Sequence, residues 1–156
     1  STLFPYTTLF RSSYLLGITL CTTAQEGLQI NEAFEGKVID KQCMQESLVK
    51  GENLKPYKLE MLHTVKFAAG SKDREKLNAL FTKDMEERIS DDDSNMEYES
   101  RDGYIYYAIV QLTDNKKDRH RYICYQCKKK SSYYDITLVY MEGTASLADL
   151  RKTFKK

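Results

Sequence analysis

The sequence predicts an α+β domain: an antiparallel sheet of about four to six strands, one long helix packed on one face, and a short C-terminal helix. Three observations carry this. Tyr104–Leu112, Arg119–Lys128 and Tyr133–Glu142 read as long strands joined by polar turns, and no other stretch could build so large a sheet. Leu77, Leu80, Phe81, Met85 and Ile89 fall at i, i+3, i+4, i+8 and i+12, one apolar stripe along a helix from Ser71 to Ile89. Ser146, with Asp149 three residues on, has the pattern of a capping box that opens a final helix bearing Leu147, Leu150 and Phe154.

The chain has 156 residues, which fits one domain, here residues 25–156. Hydrophobic residues make up 41% and charged residues 30%, a globular balance. There is no Trp, and nine of the twelve Tyr lie between Tyr98 and Tyr140, within the predicted sheet. Tyr suits half-buried pleated surfaces, because its ring packs while its hydroxyl stays wet.

Residues 1–13 are set aside from the fold. Ser1–Ser12, STLFPYTTLFRS, resembles translated sequencing-adapter read-through. Residues 14–24 read as the remnant of a signal peptide: Tyr14–Ala24 is a short apolar run, and Thr22 and Ala24 suit a cut before Gln25. The run is too short to span a bilayer, which takes about 20 apolar residues. A lipid anchor on Cys21 is disfavoured, since Leu20 stands where a lipobox needs a small residue. The expected location is periplasmic or secreted. Loss of Arg11 with the leader leaves 23 basic and 23 acidic residues, so net charge favours neither nucleic acid nor a membrane surface.

Within the domain, a helical turn is expected near Asn31–Glu35, stopped by Gly36. Lys37–Lys50 is ambiguous, and Gly51–Asn53 reads as a turn. Pro56 opposes helix before it and suits a strand start or edge. Tyr57–Ala68 is a strand whose Leu59, Met61, His63, Val65 and Phe67 share the face that meets the helix. That helix takes Ser71 as its N-cap, and Lys76, Lys83, Asp84 and Glu87 cover its outer side. Met96–Ser100 is a short strand, and Asp102-Gly103 signals a hairpin. The main strands are partly apolar on both faces. The second face needs a cover from the N-terminal segment, the C-terminal helix or a partner chain, which leaves a homodimer open.

The sequence nominates no reaction. There is no GxSxG elbow, HExxH, P-loop or Rossmann fingerprint, so no cofactor is expected. Cys124 and Cys127 form a CxxC, but strand residues three apart point to opposite faces, and zinc wants four ligands. Asp91, Asp93, Asn95, Glu97, Glu99 and Asp102 fit an EF-hand register. Met96 stands where that loop needs Gly, and Asp102 where it needs Glu, which makes a solvated acidic loop the expectation. His120 and Cys124 share a face yet sit about 13 Å apart along the strand. An enzyme would need a site assembled from distant residues, with Cys43, His63, Cys124 or Cys127 in it. Lys116, Lys117, Arg119, Arg121 and Lys128–Lys130, interleaved with Tyr122 and Tyr125, have the composition of a base-stacking sheet. The export signal argues against nucleic acid, and charged edges that discourage aggregation explain the same residues.

Several short stretches are shared with a known group: Gly27-Leu28, Ile30-Asn31, Phe34–Lys37, Val49–Gly51, Leu54 with Tyr57–Leu59, Val65–Phe67 and Val139–Gly143. With the export segment they resemble a family of small exported proteins of unknown function from Gram-negative gut anaerobes. The resemblance implies export and brings no catalytic residues. The resulting expectation is a non-enzymatic envelope module that binds a protein, peptide or glycan. Its binding residues would be Tyr107, Tyr125 and Tyr134, on the sheet face opposite the helix.

Overall fold

Six strands form one antiparallel sheet: β1 (Gln45–Lys50), β2 (Leu59–Ala69), β3 (Met96–Arg101), β4 (Tyr104–Gln111), β5 (His120–Lys129) and β6 (Tyr134–Gly143), in the order β1-β2-β6-β5-β4-β3. These come from a computed structural model that describes residues 27–88, 95–112 and 118–154. Ser1–Ser12, the run Tyr14–Ala24 with Cys21, and Ile89, Asp91, Asp93, Lys116 and Lys117 lie outside the described residues, as does the side chain of Phe154. Helix α1 (Asn31–Phe34) precedes the sheet, α2 (Ser71–Arg88) follows β2, and α3 (Leu147–Phe154) ends the described chain. Among the described residues no helix is long and apolar enough to cross a membrane.

Strand parity sorts the core into two layers. On the α2 side, Met61, Val65 and Phe67 of β2 pack with Leu77 and Phe81, both fully buried, and with Tyr125, Leu138 and Tyr140. On the other side, Leu62, Val139, Met141, Tyr122 and Cys124 meet Leu54, Leu147 and Leu150. Leu59 belongs to this second layer, not to the α2 face that simple alternation assigns it. A register shift between Leu59 and Met61 turns it over.

The covers divide accordingly. The N-terminal segment, with Leu28, Ile30 and Phe34, packs on the α2 side. Helix α3 and a 3₁₀ helix at Glu52–Tyr57 cover the opposite face. Pro56 therefore sits inside a 3₁₀ helix rather than at a strand start. Its missing N–H costs little there, because a short 3₁₀ turn leaves donors unused. Lys58 closes that turn in the left-handed region at φ 57°.

Local signals place the ends. Asp102 and Gly103, at φ 53° and 80°, form the tight turn of the β3–β4 hairpin, where two successive positive φ values match strand twist. Ser146 caps α3: its hydroxyl accepts from the Asp149 N–H at 3.1 Å, and its own N–H donates to the Asp149 carboxylate at 3.0 Å. These bonds and Lys58 hold the Asp149 pKa down at about 2. Ser71 is the first helical residue rather than the cap, because the Arg74 N–H donates to the Gly70 carbonyl. Asp84 does not lie on the solvated side. It is buried, and its carboxylate accepts the N–H groups of Gln29 and Ile30 at 2.6 and 2.7 Å.

Candidate functional site

The single residue between β2 and α2 sets the first turn of the helix directly over one end of the sheet. The same end holds the start of β4 after its tight turn and the start of β6. Three side chains meet there. The Arg74 guanidinium lies 3.6 Å from the ring centroid of Tyr104 and 4.2 Å from that of Tyr134. A cation between two π faces is held in orientation without a carboxylate. Arg74 Nε is buried and finds no acceptor among the described residues. The Tyr104 hydroxyl donates to Glu75 at 3.4 Å, and Tyr134 pairs with Lys129 and Ala69 in the sheet.

Tyr125 and Cys127 lie beneath this stack, on the same face of β5. The Tyr125 ring stacks on Phe81 of α2 with centroids 5.3 Å apart, and Ala108 opposite it leaves room. Its hydroxyl is fully buried and has no oxygen or nitrogen partner among the described residues; the Cys127 thiol is its soft neighbour. Burial pushes both groups up in pKa, and the Arg74 charge opposes that rise in each.

The two cysteines of the CxxC do not converge. Cys124 and Cys127 belong to opposite layers, as strand parity requires, and Cys43 is exposed; all three are free. Complete burial raises the Cys124 pKa far above the thiol range. His63 Nε2 lies 2.8 Å from Glu46 Oε1, and its ring packs 5.0 Å from Phe34. His120 Nδ1 lies 2.9 Å from Gln111 Nε2. Among the described residues, no three His, Cys, Asp or Glu side chains gather closely enough to hold a metal ion. Of the acidic register, Asn95 is half-buried just before β3, Glu97 and Glu99 lie on β3, and Asp102 sits in the hairpin turn.

The His63–Glu46 pair makes acid stability testable. Its hydrogen bond to His63, with Lys41 at 3.5 Å, holds the Glu46 carboxyl below its ordinary value of 4.5. A depressed folded pKa adds stability above the unfolded value and loses it as pH falls through the folded one. Urea unfolding midpoints measured below pH 4.5 should therefore fall more steeply for the native chain than for Glu46→Gln. The Glu46 side chain is 34% exposed, so solvent screening keeps the difference small.

A family of unknown function (DUF6108) matches residues 17–154. The chain belongs to that family. No curated protein and no solved structure matches it. The DUF6108 match takes in every element from α1 to α3, and with them the Arg74 stack.

The three tyrosines expected to share one binding face do not share it. Tyr107 lies on the face opposite α2, half-buried, near Cys124, Glu97 and Arg151. Tyr125 is fully buried beneath α2, and Tyr134 forms one wall of the Arg74 stack. Register decides this. Tyr107 pairs with Gln126 and Ala108 with Tyr125, so Tyr107 and Tyr125 take opposite faces. The base-stacking arrangement is likewise ruled out for Tyr122 and Tyr125. Both are fully buried, in opposite layers, and the Tyr122 hydroxyl donates to the Ala145 carbonyl at 2.6 Å. Arg119 lies 3.4 Å from Glu60 and 3.6 Å from Glu142. Sequence reasoning missed Arg74. The one signal available was a basic residue in the first turn of a helix, where the macrodipole disfavours it.

Proposed function

We propose that this DUF6108 chain is a recognition module of the cell envelope, and that it binds a protein, peptide or glycan at the sheet end built by Arg74, Tyr104 and Tyr134. The observation that carries this reading is a guanidinium clamped between two rings with no acidic partner among the described residues. A cation held that way is an oriented donor awaiting an acceptor. Tyr133, 42% exposed beside it, adds an aromatic edge of the kind that anchors interfaces. The side chains best suited to covalent chemistry support recognition over catalysis: Cys124 and Cys127 are buried with raised pKa values and lie on opposite faces. Export, and with it the envelope setting, rests on the apolar run Tyr14–Ala24.

Photocrosslinking tests the reading. A photoreactive phenylalanine analogue replaces Tyr133 in one sample and Tyr98, on the β3 edge, in another. In envelope extract, a discrete adduct is expected from position 133, absent from position 98 and lost with Arg74→Gln. Adducts of equal yield from both positions, or none from 133, would refute it.

A further inference from the structure

We infer that the group recognised at this end is a carboxylate, presented by an acidic peptide segment. This rests on the proposed recognition role and names its ligand. The inner side of the Arg74 guanidinium is sealed, because its Nε is buried and the Tyr125 hydroxyl beneath it is buried as well. Rings cover both faces, at 3.6 and 4.2 Å. Only the terminal nitrogens remain accessible, and they make no hydrogen bond among the described residues. A cation stripped of most of its water gains more from an anion at its one open edge than a solvated cation does. The in-plane fork of two N–H donors matches the two oxygens of a carboxylate.

The surroundings favour a segment with several acids. Lys129, paired with Tyr134 in the sheet, and Lys130 in the following turn are exposed and form no ion pair among the described residues. Of the nearby acids, Glu75 accepts from the Tyr104 hydroxyl and Asp135 lies 3.6 Å from Lys66. Sugar stacking is the poorer fit, because the inward faces of Tyr104 and Tyr134 are taken by the guanidinium. A peptide brings its charge on short side chains that reach an edge without needing a ring face.

The test titrates the whole chain with an acetylated, amidated hexaglutamate, with hexaglutamine and dextran sulfate as comparison arms, at fixed ionic strength. NMR follows the Arg Nε–Hε signals, and calorimetry gives Kd. The expected result is a shift of the Arg74 Nε–Hε signal with hexaglutamate and none with hexaglutamine. Arg74→Gln weakens binding about ten-fold or more, since a hydrogen bond to a charged group is worth about 1.5–3 kcal/mol. Arg74→Lys restores only part of it, because an ammonium lacks the fork. Lys129→Gln weakens binding about two-fold. Hexaglutamate binding that leaves the Arg74 signal unmoved overturns the inference even if the variants misfold. So does tighter binding of dextran sulfate with the same Arg74 dependence. An Arg74-dependent crosslink from position 133 without hexaglutamate binding sinks the carboxylate assignment alone and leaves the recognition role standing.

Discussion

Asp84→Ala should lower the unfolding free energy by about 3–6 kcal/mol, the sum of two charge-assisted hydrogen bonds at about 1.5–3 kcal/mol each. The Asp84 carboxylate is 1% exposed and takes the backbone N–H groups of Gln29 and Ile30 at 2.6 and 2.7 Å. Alanine leaves the Ile30 donor buried with nothing to bond. Ile30, Ala33 and Phe34 then lose the anchor that presses them on Met61, Val65 and Leu77. Against a domain stability of about 5–15 kcal/mol, the loss is a large fraction. Asp84→Asn keeps one acceptor without the charge, so it should recover about half of the loss. Urea unfolding measures both, and hydrogen exchange at the Ile30 amide reports the local step. Equal stability of Asp84→Ala and the native chain would mean that the N-terminal segment is not held this way.

The same residue shows what the sequence could and could not say. Leu77, Phe81 and Asp84 fall at i, i+4 and i+7, the buried stripe of a helix. Periodicity therefore pointed Asp84 inward, while its charge argued outward. Charge lost because two backbone donors more than fifty residues away met the carboxylate, and such a partner leaves no mark in the local pattern. Strands β2 to β6, the long helix, the Asp102-Gly103 turn and the Ser146 cap were legible because each is a short-range signal, whereas β1 lay in the ambiguous stretch Lys37–Lys50. Register was not. The face of Tyr107 relative to Tyr125 depends on the pairing across the β4–β5 connection, and a slip of one residue would exchange the faces. The Arg74 stack joins a helix turn to two strand starts, so it follows from the one-residue link after β2 and from the hairpin ends together. Pro56 was misread because the rule against Pro in helices concerns α-helix interiors, and the chain makes a 3₁₀ turn there.

Gly143→Ala should cost about 3 kcal/mol or more, at the upper end of what overpacking costs. Gly143 ends β6 opposite Leu59, where β2 and β6 come together at the register shift. An added Cβ would overlap the Lys58 carbonyl oxygen and lie 2.6 Å from the Leu59 Cα. These are backbone atoms, so no side chain can swing aside. The Lys58 carbonyl cannot retreat freely either, because it accepts the N–H groups of Thr144 and Ala145 at 3.0 Å each. Lys58 also holds the left-handed turn that ends the 3₁₀ helix, and its ammonium lies 3.2 Å from Asp149 at the start of α3. Moving it by the width of a methyl group loosens the β2–β6 end, the turn and the seat of α3 at once. Gly70→Ala is the control. Its Cβ meets nothing within 4 Å and it has no positive φ, so the change should cost no more than about 1 kcal/mol, the difference between Gly and Ala at the N-cap of α2. Urea unfolding of the two variants decides the matter, with hydrogen exchange at Thr144 and Ala145 reporting the local break. Two equal, small losses would show that the strands are not as close at Gly143 as the Lys58 contact requires.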